Sequence, residues 1–128
     1  MAIRTEADPE AGIRRHIVSE SLTLEDFRAE LDVVYAQPEM HRLGPLWDLR
    51  EARIDMTSAE MRQIADFIGK RWHAPESVRA ALVVSQDYDF AMSRMLEMLL
   101  EGRSPNQVMV FRDVEAAEEW LREGRTGA

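Results

Sequence analysis

Two short apolar runs, Ala80–Val84 and Val108–Phe111, constrain the fold of this chain more than any other feature. Neither alternates polar with apolar residues, so each is expected to be a strand buried on both faces, the habit of a parallel sheet. Each is followed within a few residues by a helical pattern, which makes the second half of the chain a βαβα unit. Parallel strands need crossover connections, so the expected class is α/β.

A chain of 128 residues makes one domain, 1–128, and buries roughly two-thirds of its unfolded surface in one core. The lack of cysteine excludes disulfides, thiol nucleophiles and thiolate metal sites, and it suits a reducing compartment. No run reaches the ~18 apolar residues of a membrane span. The first ten residues carry Arg4, Glu6, Asp8 and Glu10 and lack a signal core, so the expected location is the cytoplasm. A net charge of −8 without a basic cluster argues against nucleic acid as a partner. Lys70 is the only lysine, a bias better assigned to genome composition than to anion recognition.

The order expected along the chain is ββαβαβαβα. Residues 1–7 and 12–19 flank Asp8-Pro9-Glu10-Ala11-Gly12, a turn-forming stretch, and read as an antiparallel hairpin at a sheet edge. Thr23 caps a helix whose Leu24, Phe27, Leu31, Val34 and Tyr35 share one face, with Pro38 ending the run. Leu46-Trp47-Asp48-Leu49 is a short strand. A helix from Ser58 to Trp72 places Met61, Ile64, Ala65, Ile68 and Trp72 on one side and closes at His73-Ala74-Pro75. Strand Ala80–Val84, a helix from Tyr88 to Glu101 stopped by Gly102, strand Gln107–Arg112 and a helix from Val114 to about Arg122 complete the domain. Right-handed crossovers then give a mixed, mostly parallel sheet with helices on both faces.

Several of these segments carry a family resemblance: Leu22-Thr23-Leu24-Glu25-Asp26-Phe27, Leu46-Trp47-Asp48-Leu49-Arg50, the Ala80–Val84 strand, and the closing stretch from Val108 to Leu121. From Ile13 to Leu121 the chain resembles the SpoIIAA-like family, the STAS-type fold of bacterial anti-sigma-factor antagonists, and especially its stand-alone branch related to Sec14-type lipid-binding domains. The resemblance implies a SpoIIAA-like α/β domain that binds a protein partner. Through the Sec14-related branch it implies an apolar or lipid-like ligand.

In antagonists of that family a serine at the start of the corresponding helix is phosphorylated within an Asp-Ser-Ser-Gly-like motif. Thr57 falls nearest that position, with Ser58 beside it, and a helix N-terminus suits a phosphate. The match is degraded: Met56 stands in place of a small hydroxyl residue and Ser58 in place of the glycine. Thr57-Ser58-Ala59-Glu60 also reads as a capping box, which accounts for the hydroxyl without any modification.

In open α/β sheets, ligands and partners meet the carboxyl ends of the parallel strands. Those ends are expected to offer Asp48, Arg50, Asp55, Ser85, Asp87 and Tyr88, followed by Arg112 and Asp113. The plain alternative is that Asp113 caps the last helix, Arg112 pairs with a nearby acid, and Ser85 or Asp89 caps the third helix. That helix is apolar over roughly 200°, wider than the ~100° stripe of a surface helix. It leaves Phe90, Met92, Met95 and Met98 as a candidate apolar interface covered by a neighbouring helix, a second copy or an apolar ligand.

His16, His41 and His73 stand at no local metal-pair spacing, the six glycines make no phosphate loop, and no nucleophile elbow is present. No cofactor or metal is therefore expected. The leading function is a non-catalytic protein-interaction module. A small binding domain for an apolar or lipid-like ligand is the alternative, and an enzyme using the aspartates Asp48, Asp55, Asp87 and Asp89 is a third.

Overall fold

The structure, a computed structural model, describes residues 3–71, 78–102 and 107–126. Trp72 and the helix-closing His73-Ala74-Pro75 lie outside the described residues, as does the side chain of His41. Five strands form one sheet in the order β1-β2-β3-β4-β5. These are β1 (Ile3–Asp8), β2 (Ile13–Thr23), β3 (Gly44–Asp55), β4 (Arg79–Val83) and β5 (Gln107–Phe111). The β1–β2 hairpin is antiparallel, and every later pairing is parallel. The expected mixed, mostly parallel α/β sheet is observed.

Because the strand order follows the chain, successive right-handed crossovers place α1 (Leu24–Tyr35), α2 (Ser58–Arg71) and α3 (Asp87–Leu100) on one face. Their core includes Phe27, Leu31, Met61, Ile64, Leu96 and the helix-side strand residues Trp47, Leu49 and Leu82. The last helix, α4 (Val114–Thr126), covers the opposite face through Ala117 and Leu121 against Ile13, Leu46, Ala81 and Val83. Helices thus lie on both faces, three against one. Arg15 on β2 donates to Glu118 at 3.1 Å and fixes α4 across the sheet.

The helix starts follow their residues. The Asp26 amide donates to the Thr23 hydroxyl at 3.2 Å, and acidic Glu25 and Asp26 complement the positive end of the α1 dipole. Gly102 takes φ +80° just beyond α3, the left-handed conformation that ends helices cheaply. Gly44 answers a different need: a Cβ there would lie 2.9 Å from the Arg79 carbonyl oxygen, so β3 and β4 approach too closely for any side chain.

Strands β2 and β3 both run well past their expected ends, to Thr23 and Asp55. Polar residues at alternate positions hid these extensions. β5 also departs from expectation. As an edge strand it leaves Met109 38% exposed, so its unbroken apolar run is not buried on both faces.

Candidate functional site

The carboxyl-end rim is organised by a bulge. Between the pairs Ile17–Asp48 and Ser19–Glu51, β2 advances two residues while β3 advances three. The extra residue lies at Leu49–Arg50, and such insertions bend a strand and re-aim its side chains. Arg50 is the residue that its neighbours secure. Its amide donates to Asp48 Oδ1 at 3.2 Å, and its carbonyl accepts the Ser85 hydroxyl at 3.0 Å. Its guanidinium donates back to both oxygens of Asp48, Nε at 2.9 Å and Nη2 at 2.8 Å. This fork holds the Asp48 carboxyl below its usual pKa and raises that of Arg50, so the pair stays ionised.

Beside it, Arg112 at the end of β5 donates to the Ser85 carbonyl at 3.3 Å and to Asp87 Oδ1 at 2.8 Å, and it lies 4.6 Å over the Phe90 ring. The structure therefore joins Asp48, Arg50, Ser85, Asp87 and Arg112 in one polar rim. A groove of about 380 Å³ runs from it over the sheet face that α4 leaves open, lined by Arg4, Ile17, Asp48 and Arg50 among others.

Two further rim candidates, Asp55 and Tyr88, stand apart from this set. The Tyr88 hydroxyl donates to the Met56 carbonyl at 2.9 Å and braces the loop before α2. Asp55 is exposed at the end of β3, in register with Thr23. Two expectations about caps need correction. Neither Ser85 nor Asp89 caps α3, whose N-cap residue is Gln86 without a side-chain cap bond. Ser85 is engaged with Arg50, and Asp89 is buried, accepting the Ile54 amide at 3.0 Å. Asp113 does sit at the start of α4, where it accepts the Glu115 amide at 3.0 Å, and Arg112 pairs with an acid as the plain alternative expected.

At the start of α2 the capping box is complete. The Glu60 amide donates to the Thr57 hydroxyl at 3.1 Å, and the Thr57 amide donates to the Glu60 carboxylate at 2.9 Å. Thr57 and Ser58 are both exposed.

The four residues of the candidate apolar interface do not form one exposed patch. Met92 is a core residue, because it faces the sheet together with Leu96 and Leu100. Met95 packs against the same cluster and Phe90 lies under Arg112, which leaves Met98 as the exposed member at 64%. Most of the wide apolar arc of α3 is covered by the sheet and by α2.

A second polar cluster was not among the candidate sites expected from the sequence. On β2, Arg14 and His16 point into the three-helix core with 3% and 0% exposure. His16 stacks on Trp47 at 4.2 Å, and its Nδ1 lies 2.9 Å from Glu30 Oε2, which also accepts the Thr5 hydroxyl. Burial pushes the His16 pKa down, while the hydrogen bond from His16 holds the Glu30 carboxyl low. Nδ1 is therefore the donor and His16 is neutral. Arg14 borders a cavity of about 40 Å³ walled by Phe27, Tyr35, Trp47, Leu82 and Leu100, and burial lowers its pKa to about 10. The available signal was the period of two running back from Val18, which puts His16 and Arg14 on the inward face.

No family model matches the chain, and no curated protein matches it. Among solved structures it is similar to a protein of Shewanella loihica PV-4, described as an uncharacterised member of the DUF3478 family with a SpoIIAA-like fold. The two share 17% identity over 94% of this chain and 92% of that one, with a TM-score of 0.58. The chain thus has the SpoIIAA-like α/β fold that its segments resembled. Among the described residues no helix is long and apolar enough to cross a membrane.

Proposed function

We propose that this chain is a non-catalytic protein-interaction module whose contact surface is the rim of Arg50, Ser85, Asp87 and Arg112. The bulge at Leu49–Arg50 is the observation that carries this reading. Both backbone groups of Arg50 are tied to neighbouring side chains, so the guanidinium is presented from a fixed strand. Its partner Asp48 is kept ionised, which suits charge recognition better than proton transfer near neutral pH. The complete capping box gives Thr57 a structural task, so the module is taken to work without a phosphate there. The cysteine-free chain suits action in the cytoplasm.

Co-purification of a tagged chain from its native host, compared with Arg50→Glu and Asp87→Arg, is the direct test. The expected result is a partner held by the wild type and lost from both variants, each with an unchanged thermal melt. A partner retained by both variants would move the contact surface elsewhere.

One observation favours a second reading, a binding domain for a small apolar ligand. A largely apolar cavity of about 40 Å³, walled by Phe27, Tyr35, Trp47, Leu82 and Leu100, lies inside the three-helix core. Native mass spectrometry of the chain from its own host would show the retained ligand. A bare polypeptide mass under gentle ionisation would count against this reading.

A further inference from the structure

The two edges of the sheet are built differently. β1 reads Ile-Arg-Thr-Glu-Ala-Asp, with Arg4 paired to Glu6 at 3.3 Å on its surface, and charges of this kind discourage pairing with another chain. β5 reads Gln-Val-Met-Val-Phe and has no charge along its five residues. Among the described residues no strand pairs with its outer side.

The ladder with β4 decides which backbone groups face outward. Gln107 donates to the Val78 carbonyl at 3.1 Å, and the Phe111 carbonyl accepts the Val84 amide at 3.0 Å. In a parallel ladder alternate residues bond to the same neighbour, so Gln107, Met109 and Phe111 are turned to β4. The N–H and C=O groups of Val108 and Val110 point away from it.

We propose that this edge joins a second copy of the chain, β5 against β5 in antiparallel register, so that two sheets become one of ten strands. A two-fold axis through Met109 sets Val108 opposite Val110 of the second copy. Each such pair exchanges two backbone hydrogen bonds, which uses the four outward groups on both chains. Met109 meets its own copy at the axis as a close, non-hydrogen-bonded pair, which accounts for a methionine 38% exposed at a sheet edge.

Charge selects a second copy over an unrelated extended peptide. α3 runs back along β5, with Phe90 beside Arg112 at one end. Its flank on the β5 side carries Arg94, bonded to Glu97 at 2.7 Å, and then Glu101 two turns further on. The two-fold reverses one flank against the other and brings Arg94 toward Glu101 of the second copy, twice. A chain of net charge −8 repels its copies at long range, so a dimer must close where the edge is neutral and its flanks are complementary.

Analytical ultracentrifugation of the full chain is the test. The wild type is expected at twice 14.7 kDa at micromolar concentration. Met109→Lys sets like charges at the axis, and Val108→Pro removes an outward N–H while sparing the β4 ladder. Each is expected to weaken the dimer by about tenfold or more with an unchanged circular dichroism spectrum. Arg94→Glu should also weaken it, and adding Glu101→Arg should restore it. A wild-type monomer, a dimer indifferent to Met109→Lys and Val108→Pro, or a monomer that instead takes up an extended peptide along β5 would overturn the proposal.

Discussion

The two faces of the sheet handle polar residues in opposite ways. Under the single helix α4, charged groups stay at the surface and pair in forks, as Asp48 does with Arg50 and Glu118 with Arg15. Under α1, α2 and α3, polar groups are taken fully out of water: His16, Asp89 and Ser93 are each 1% exposed or less. The helix count explains the difference. Three helices seal their face and take its polar atoms out of water, leaving His16 Nε2, Asp89 Oδ2 and Ser93 Oγ without a hydrogen-bond partner among the described residues. One helix leaves part of its face to solvent. Stability should therefore depend on the sealed face, and recognition on the open one.

The largest expected effect lies on the sealed face. Trp47 is 4% exposed, stacks on His16 and meets Phe27 at 4.7 Å. Trp47→Ala should destabilise by about 3–5 kcal/mol through lost burial and the cavity left behind. Urea denaturation followed by circular dichroism reads this directly. A loss below about 1 kcal/mol would mean that the two faces do not differ as described.

Next comes Asp89, whose Oδ1 is the side-chain partner of the buried Ile54 amide and holds the far end of β3 to α3. Asp89→Ala should cost about 1–3 kcal/mol, the penalty for an unmet buried donor. Asp89→Asn keeps the acceptor and should recover most of it. Equal losses in the two variants would assign the effect to packing rather than to the hydrogen bond.

Acid sharpens the comparison further. The folded pKa of His16 lies below its ordinary 6.5, so between those two values the unfolded chain takes up a proton that the folded chain refuses. Its contribution is complete above 6.5 and is lost as the pH falls toward the folded value. Glu30, held below its ordinary 4.5, has the same sign: its contribution is present above 4.5 and fades as the pH falls through its own folded value. Thermal melts should therefore drop gradually from about pH 6.5 downward, and His16→Gln should flatten the upper part of that fall. Melts of His16→Gln that track the wild type through this range would show that the proton goes elsewhere.

Legibility in the sequence followed the same division. Helices α1 and α2 were readable because Thr23 and the Thr57–Glu60 box mark their starts and their apolar spacing has the helical period. The parallel strands β3 and β4 were readable from apolar runs. The polar inhabitants of the sealed face were not, since Arg14 and His16 look like interruptions of a strand until Glu30 arrives from α1 and Trp47 from β3. Nor was the bulge: Asp48 and Ser85 were candidate site residues, but their shared attachment to Arg50 depends on a register shift between strands that no local pattern records. Met92 failed as a surface residue for a related reason. The wide apolar arc of α3 showed that it needed cover, but not that the sheet and α2 supply it.

The smallest expected effect on stability is on the open face, and it is the one that separates the two roles. Arg50 is about half exposed, so its fork with Asp48 is screened by solvent and should add less than about 1 kcal/mol. Arg50→Ala removes the guanidinium and keeps the backbone groups that Asp48 and Ser85 hold, so the bulge survives and the melt should barely move. Ser85→Ala is the complementary change. It leaves the guanidinium in place and takes the donor from the Arg50 carbonyl, an exposed bond worth about 1 kcal/mol at most. If the rim is a contact surface, Arg50→Ala should lower partner recovery more than Ser85→Ala does, although it disturbs the fold less. If recovery instead follows thermal stability across the two variants, Arg50 belongs to the scaffold and the open face has no recognition role of its own.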